Sequence, residues 1–139
     1  MSESSTDFSW PVRVYYEDTD MQGVVYYANY FRFMERARTE WIRALGIEQD
    51  EYLREHRRLF VVVETKAEFL KPAQFNDQLV VTVGLEERSR ASFLLQQRIH
   101  RGSAEGELLC KGVVRAACIN ADTSKPVRLP ELLFEELTP

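Results

Sequence analysis

From Trp10 to Glu17 the chain alternates, with Val12, Val14 and Tyr16 on one parity and Arg13, Tyr15 and Glu17 on the other. A two-residue period is that of a half-buried strand. The pattern stops at Asp18-Thr19-Asp20, turn formers run on to Gly23, and a short apolar stretch, Val24 to Tyr27, leads to Asn29, which suits a helix N-cap. The period then changes. Tyr30, Phe33, Met34, Ala37, Trp41 and Leu45 recur at spacings of three and four, with Arg32, Glu35, Arg36, Arg38 and Arg43 on the opposite surface and Gly46 placed as a C-cap. One long amphipathic helix with its apolar stripe on a core is predicted.

The charged stretch Glu48 to Arg58 predicts a short helix or loop. Four further strands follow, at Phe60 to Leu70, Leu79 to Arg88, Ala91 to Arg101 and Glu107 to Asn120, separated by turn signals near Pro72-Ala73, Ser89-Arg90 and Gly102-Ser103. The last three read as a meander. Leu79, Val81, Val83 and Leu85 alternate in one of them and Phe93, Leu95 and Ile99 in the next, so one face of the sheet is buried. The order of strand, long helix and four strands predicts an α+β fold in which an antiparallel sheet of about five strands wraps around one central helix. Residues 1–139 are read as one domain, with 1–9 a flexible tail and a short helix at best after Pro126.

Composition narrows the class. The 139 residues are 45% hydrophobic, enough for one core, and 22 acidic against 18 basic residues are spread without a basic block for nucleic acid or a membrane surface. The start of the chain lacks a basic, apolar leader, and the longest apolar run, Leu59 to Val63, falls far short of the roughly 20 residues of a bilayer span, so a soluble, cytoplasmic protein is expected. Cys110 and Cys118 lie in one predicted strand, roughly 26 Å apart at the strand rise, which predicts buried free thiols. With only His56 and His100 to join them and no metal-ligand spacing, neither a metal site nor any other cofactor is expected.

The segment from Val14 to Tyr30 carries the chemistry. It sets Asp18 and Asp20 just before a helix start, where unpaired backbone N–H groups can stabilise an oxyanion and a carboxylate can act as nucleophile or general base. Asp-x-Asp-x-x-Gly also opens a calcium loop, but Gln22 stands where that loop wants Asp or Asn and Asn29 where it wants a bidentate Glu. Spacing alone leaves open whether the two aspartates do more than cap a turn. The aromatic side chains of Tyr26, Tyr27, Tyr30 and Phe31 are read as packing rather than as substrate contacts.

Three runs, Val12 to Asp20, Gly23-Val24-Val25-Tyr26 and Glu35-Arg36-Ala37-Arg38-Thr39-Glu40, resemble the Tol-Pal-associated acyl-CoA thioesterases. More broadly the chain is similar to the hydroxybenzoyl-CoA thioesterase branch of the hotdog superfamily, and Glu68-Phe69-Leu70-Lys71-Pro72-Ala73 extends the resemblance over nearly the whole length. The resemblance implies a hotdog fold and hydrolysis of an acyl-CoA. It makes Asp20 the catalytic carboxylate, Asp18 a supporting acid, and the backbone N–H groups near Tyr27 and Ala28 the site that polarises the thioester carbonyl. Gly23 allows the tight turn between them.

Tyr27 departs from the Tol-Pal-associated pattern, which often has His there, as do Met21 and Gln22, where small residues are usual; the hydroxybenzoyl branch accepts Tyr. The same resemblance places Arg88 and Arg90 near the phosphates of coenzyme A, against the alternative of solvated arginines at a turn. His56 and His100 have no partner in view, and Glu64 and Glu68 are read as surface acids. A dehydratase reading fails for want of a His at the helix, whereas a non-catalytic acyl-CoA binder or scaffold stays open as the rival. Because one sheet over one helix leaves edges unpaired, a homo-oligomer is expected, dimer or tetramer.

Overall fold

In a computed structural model, which describes residues 8–135, the chain forms a single five-stranded antiparallel sheet around one long helix. Strand β1 (Phe8–Arg13) is followed by a single 3-10 turn (Tyr16–Asp18), helix α1 (Tyr27–Ala44) and helix α2 (Gln49–His56). Strands β2 (Arg58–Phe69), β3 (Gln78–Arg88), β4 (Ser92–Arg101) and β5 (Leu108–Asn120) come next, and the short helix α3 (Glu131–Glu135) closes the described chain. Spatially the strands run β1-β3-β4-β5-β2, so the expected meander is the centre of the sheet and β2 returns to its far edge.

The alternation seen in the sequence is the alternation of the two faces. Leu79, Val81 and Val83 of β3, Phe93, Leu95 and Ile99 of β4, and Val114, Ala116 and Cys118 of β5 are buried under α1, which contributes Tyr30, Phe33, Met34, Ala37, Trp41 and Ile42. The end of α1 satisfies its last carbonyls by a paired arrangement: Ile47 N–H donates to the Ile42 carbonyl at 3.2 Å and Gly46 N–H to that of Arg43 at 2.9 Å. Gly46 adopts φ of +100°, which a side chain would resist, and Ile42 and Ile47 are both buried at the closure.

Several local expectations are corrected. Phe8 and Ser9, read as tail, open β1, while residues 1–7 of that tail lie outside the described residues. The first strand ends at Arg13, and Tyr16 turns outward into the 3-10 turn instead of continuing the buried parity. Helix α1 begins at Tyr27, so Asn29 is its third residue and not its cap; its amide side chain donates to Asp18 Oδ1 at 2.9 Å. Arg38, expected on the solvent side, reaches inward to Gln97 Oε1 at 3.0 Å, and the fully buried Gln97 passes a hydrogen bond on to the Met34 carbonyl at 3.0 Å. A buried amide needs partners, and the long arginine stem lets a residue on the helix flank supply one.

Candidate active site

The turn between β1 and α1 is built from its own carboxylates. Asp18 is 5% exposed, and both its oxygens are engaged: Oδ2 accepts Tyr15 N–H at 2.9 Å and Oδ1 the side chain of Asn29. It ties the 3-10 turn to the first turn of α1 from behind. Asp20 faces the other way. Its Oδ1 accepts Gln22 N–H at 2.9 Å, while Asp20 N–H donates to the Val24 carbonyl and Gly23 N–H to the Asp20 carbonyl. Gly23 has φ of +80° with open space where a side chain would project, so the turn needs its backbone freedom and not its small size.

A cleft of about 370 Å³ opens beside this turn, lined by Asp20, Val24, Tyr26, Tyr27, Tyr30 and Phe69, with the segment running on to Pro72 as its far wall. The start of α1 therefore stands at the same cleft as Asp20. Tyr26, the N-cap residue, offers no side-chain hydrogen bond to the helix. The N–H groups of Tyr27 and Ala28, in the first turn, have no preceding helical carbonyl to bind, and the helix dipole adds partial positive charge there. An anionic oxygen is the ligand such a helix end favours.

The aromatic side chains divide. Tyr30 and Phe33 are core, as expected, but Tyr26 is 60% and Tyr27 65% exposed, which overturns the packing reading for both. Tyr27 leans on Phe69 with ring centroids 4.8 Å apart, and Phe31, partly exposed, meets the same ring edge-on at 6.1 Å. Tyr30 accepts the Ala73 N–H at 2.9 Å, and burial raises its phenol above the usual tyrosine range, so it stays neutral at physiological pH. Burial likewise pushes the Cys110 thiol, next to this region on β5, up to about 12. Neither Cys110 nor Cys118 is in a disulfide.

Asp20, Gly23, Tyr27 and Ala28 are thus brought together, with Asp18 as their support. Arg88 and Arg90 are not. The cleft wall at Phe69 is in register with Cys110, Ile99 and Val81, whereas Arg88 ends β3 seven residues beyond Val81, about 23 Å along the strand. Within one chain the two arginines stand at the opposite end of the sheet from Asp20. What sequence reasoning missed is the far wall, Phe69 to Pro72, and the segment after it; these come to the cleft through the β2–β5 register, which no local pattern reveals. A second depression of about 360 Å³ lies on the outer sheet face among Lys66, Glu68, Glu86, Gln96, Arg98 and Lys111, with no helix end at it.

A sheet wrapped around one helix, with a carboxylate-bearing turn at that helix's start, defines the hotdog thioesterase class. Residues 14–137 match the thioesterase-like superfamily. The acyl-CoA thioesterase YbgC of Haemophilus influenzae is 42% identical over 124 residues, covering 89% of each chain. The acyl-CoA thioester hydrolase YbgC of an Escherichia coli O6:H1 strain is 40% identical over 133 residues, covering 96% of this chain and 97% of its own. Among solved structures, the 1,4-dihydroxy-2-naphthoyl-CoA thioesterase Slr0204 of Synechocystis superposes with a TM-score of 0.86 at 22% identity over 94% of this chain and 95% of its own, a likeness of fold. The chain belongs to the thioesterase-like hotdog superfamily and is a thioesterase enzyme.

Proposed function

We propose that the enzyme hydrolyses the thioester of a small or medium acyl-CoA to the free acid and CoA, with Asp20 as the reacting carboxylate. One observation carries this reading: Asp20 and Tyr27, the first residue of an 18-residue helix, open onto a single cleft. The carbonyl oxygen lies toward the Tyr27 and Ala28 N–H groups, which offset its negative charge as the carbonyl carbon becomes tetrahedral. Asp20 then works in one of two ways. As general base it takes a proton from water, whose oxygen bonds to the carbonyl carbon as the C–S bond breaks and CoA leaves as a thiolate. As nucleophile it bonds to that carbon itself, CoA leaves, and water cleaves the resulting mixed anhydride. The products are the same.

The exposed rings of Tyr26 and Tyr27 and the partly exposed Phe69 form the apolar walls for the acyl group. Tyr27 narrows the mouth where many relatives of the Tol-Pal-associated type are expected to have His. Arg88 and Arg90, too far from Asp20 in their own chain, are assigned to the phosphates of a CoA held by a second copy. Strand β2 supports such pairing. It is an edge strand with Val62 and Val63 half exposed, so its open side can take a second copy of the chain.

The test is thiol release across an acyl-CoA chain-length series. Wild type is expected to release CoA and Asp20→Asn to lose turnover while keeping its fold. Binding without thiol release would return the chain to a non-catalytic binder. A single turnover in ¹⁸O-water tests the covalent route: label in Asp20 shows that the carboxylate bonded to the acyl carbon and that water then attacked the Asp20 carboxyl carbon, whereas label in the acid product alone fits either general-base hydrolysis or attack of water on the acyl carbon of the anhydride.

A further inference from the structure

We propose that Arg101, at the end of β4, is a positioning residue for the reacting turn, a role that rests on Asp20 being the reacting carboxylate. The argument begins at Pro72. Lacking an N–H, Pro72 cannot extend the β2–β5 ladder, which ends at Phe69. The chain leaves the sheet there and returns only at Gln78. Its two ends are held by backbone: Leu70 and Lys71 N–H groups donate to the Leu109 carbonyl, and Asn76 and Asp77 exchange hydrogen bonds with Val14.

The middle of this segment is what the reacting turn rests on. Val25 N–H donates to the Ala73 carbonyl at 2.8 Å, Phe75 N–H to the Gly23 carbonyl at 3.0 Å, and Val24 bridges to Gln74. The ring of Phe75 stacks on Tyr16 with centroids 4.0 Å apart. Asp20 therefore stands on a turn supported by another loop and not by the sheet.

Arg101 fastens that loop. Its Nη2 donates to the Pro72 carbonyl at 3.0 Å, Nη1 pairs with Asp77 Oδ2, and Nε donates to Glu107 Oε1 at 3.2 Å. Asp77 Oδ2 also accepts Gln74 N–H at 2.8 Å, so the guanidinium holds the loop at both sides of the residues that touch the turn. Glu107 is shared with Lys71 at 3.2 Å, which closes the cluster. Three partners in different directions suit the planar fork of arginine and exceed what one ammonium reaches with fixed geometry. Arg101 itself does not line the cleft, although the loop residues Lys71 and Pro72 that its cluster holds do, so its effect on catalysis runs through where the loop and turn place Asp20.

The experiment compares full-length wild type with Arg101→Met, Arg101→Lys and Asp77→Asn, using whichever acyl-CoA of the chain-length series wild type hydrolyses best. The control is Arg115→Met, which removes an ion pair to Glu87 from a side chain 33% exposed, against 31% for Arg101. Arg101→Met is expected to lower kcat by about tenfold with KM within about twofold, since small misplacements of a reacting group cost orders of magnitude in rate. Arg101→Lys should recover part of the loss. Amide hydrogen exchange should quicken at Val25 and Phe75 and stay unchanged at Leu95 in the core of β4, a local loosening that a general loss of stability would not produce.

Unchanged kcat in Arg101→Met, an equal loss in the control, or quickened exchange that includes Leu95 would overturn the proposal. Should Arg101→Met fail to fold, Asp77→Asn decides on the same readouts. The two ideas separate cleanly: turnover surviving in Asp20→Asn removes the reading of the carboxylate whatever Arg101 does, whereas an inactive Asp20→Asn beside a fully active Arg101→Met removes the Arg101 role alone.

Discussion

The two ends of the helix meet the sheet in different ways. At the C-terminal end of α1, Trp41 packs on Phe93 at 6.0 Å, Phe93 on Phe60 at 5.8 Å and Phe60 on Tyr52 at 5.8 Å, and the Tyr52 hydroxyl lies 3.7 Å from the buried Cys118 sulfur. Burial and that sulfur contact push the Tyr52 phenol up to about 12. At the N-terminal end, the Asp20 turn is held by backbone hydrogen bonds, the Asp18–Asn29 pair and the Arg101 cluster, while Tyr16, Tyr26 and Tyr27 stay exposed. One end uses apolar area and the other directed polar bonds. Apolar packing is non-directional and excludes water, so it makes a stable end; polar bonds fix angles and leave a carboxylate beside an open cleft.

The sharpest way to break this contrast is Asp20→Asn. It should lower kcat by about a thousandfold, the middle of the range for a general base, and leave the melting temperature within a few degrees. Steady-state kinetics beside a thermal melt checks both halves, and a stable but fully active variant would end the division of labour proposed for this end. The converse is Phe93→Ala, which should cost about 3–5 kcal/mol of unfolding free energy through lost burial and a residual cavity. Denaturant titration reads that loss, and KM measured well below the midpoint should not move.

Asp18→Ala tests whether the polar end is also structural. It leaves the buried Asn29 amide, and the part-buried Tyr15 N–H, without their acceptor, a cost of about 1–3 kcal/mol for the buried unsatisfied group. Unlike the other two variants it should lower stability and kcat together. Gly23→Ala should have the smallest effect, about 1 kcal/mol, because open space surrounds the site and only the positive φ opposes a side chain.

A buried thiol behind the cleft, on β5 and in register with Phe69, carries a pH prediction. For Cys110 the folded thiol is raised from 9.0 to about 12, so the native state resists ionisation that the unfolded chain undergoes. Its contribution to stability is complete below pH 9 and falls as pH rises toward 12. Thiol labelling at pH 8 should find neither Cys110 nor Cys118 reactive until denaturant is added.

Much of the scaffold was legible along the chain. The four strands after α1 were placed to within two residues because hydrophobic alternation is a local property, and the stripe Tyr30, Phe33, Met34, Ala37 and Trp41 marked the buried face of α1 for the same reason, whereas the first strand was carried four residues past its end at Arg13. The start of that helix was missed by three residues: Tyr26 caps it without a side-chain hydrogen bond, and Asn29, the better capping residue, is drawn to Asp18 instead. Tyr26 and Tyr27 were misread because composition says that aromatic residues pack, while their exposure depends on what the neighbouring loop leaves uncovered.

By itself, then, the sequence determined which segments are strands and helix, which face of each is apolar, and that two carboxylates precede a helix start, since periodicity and turn chemistry need only near neighbours. Tertiary structure alone decided the rest. Phe69 and Tyr27 share a cleft, Arg101 reaches back to Pro72 and Asp77, and Arg88 lies at the far end from Asp20 because strand register joins residues tens of positions apart. Such pairings follow from closing the whole sheet around α1, a long-range condition that no window of local sequence contains.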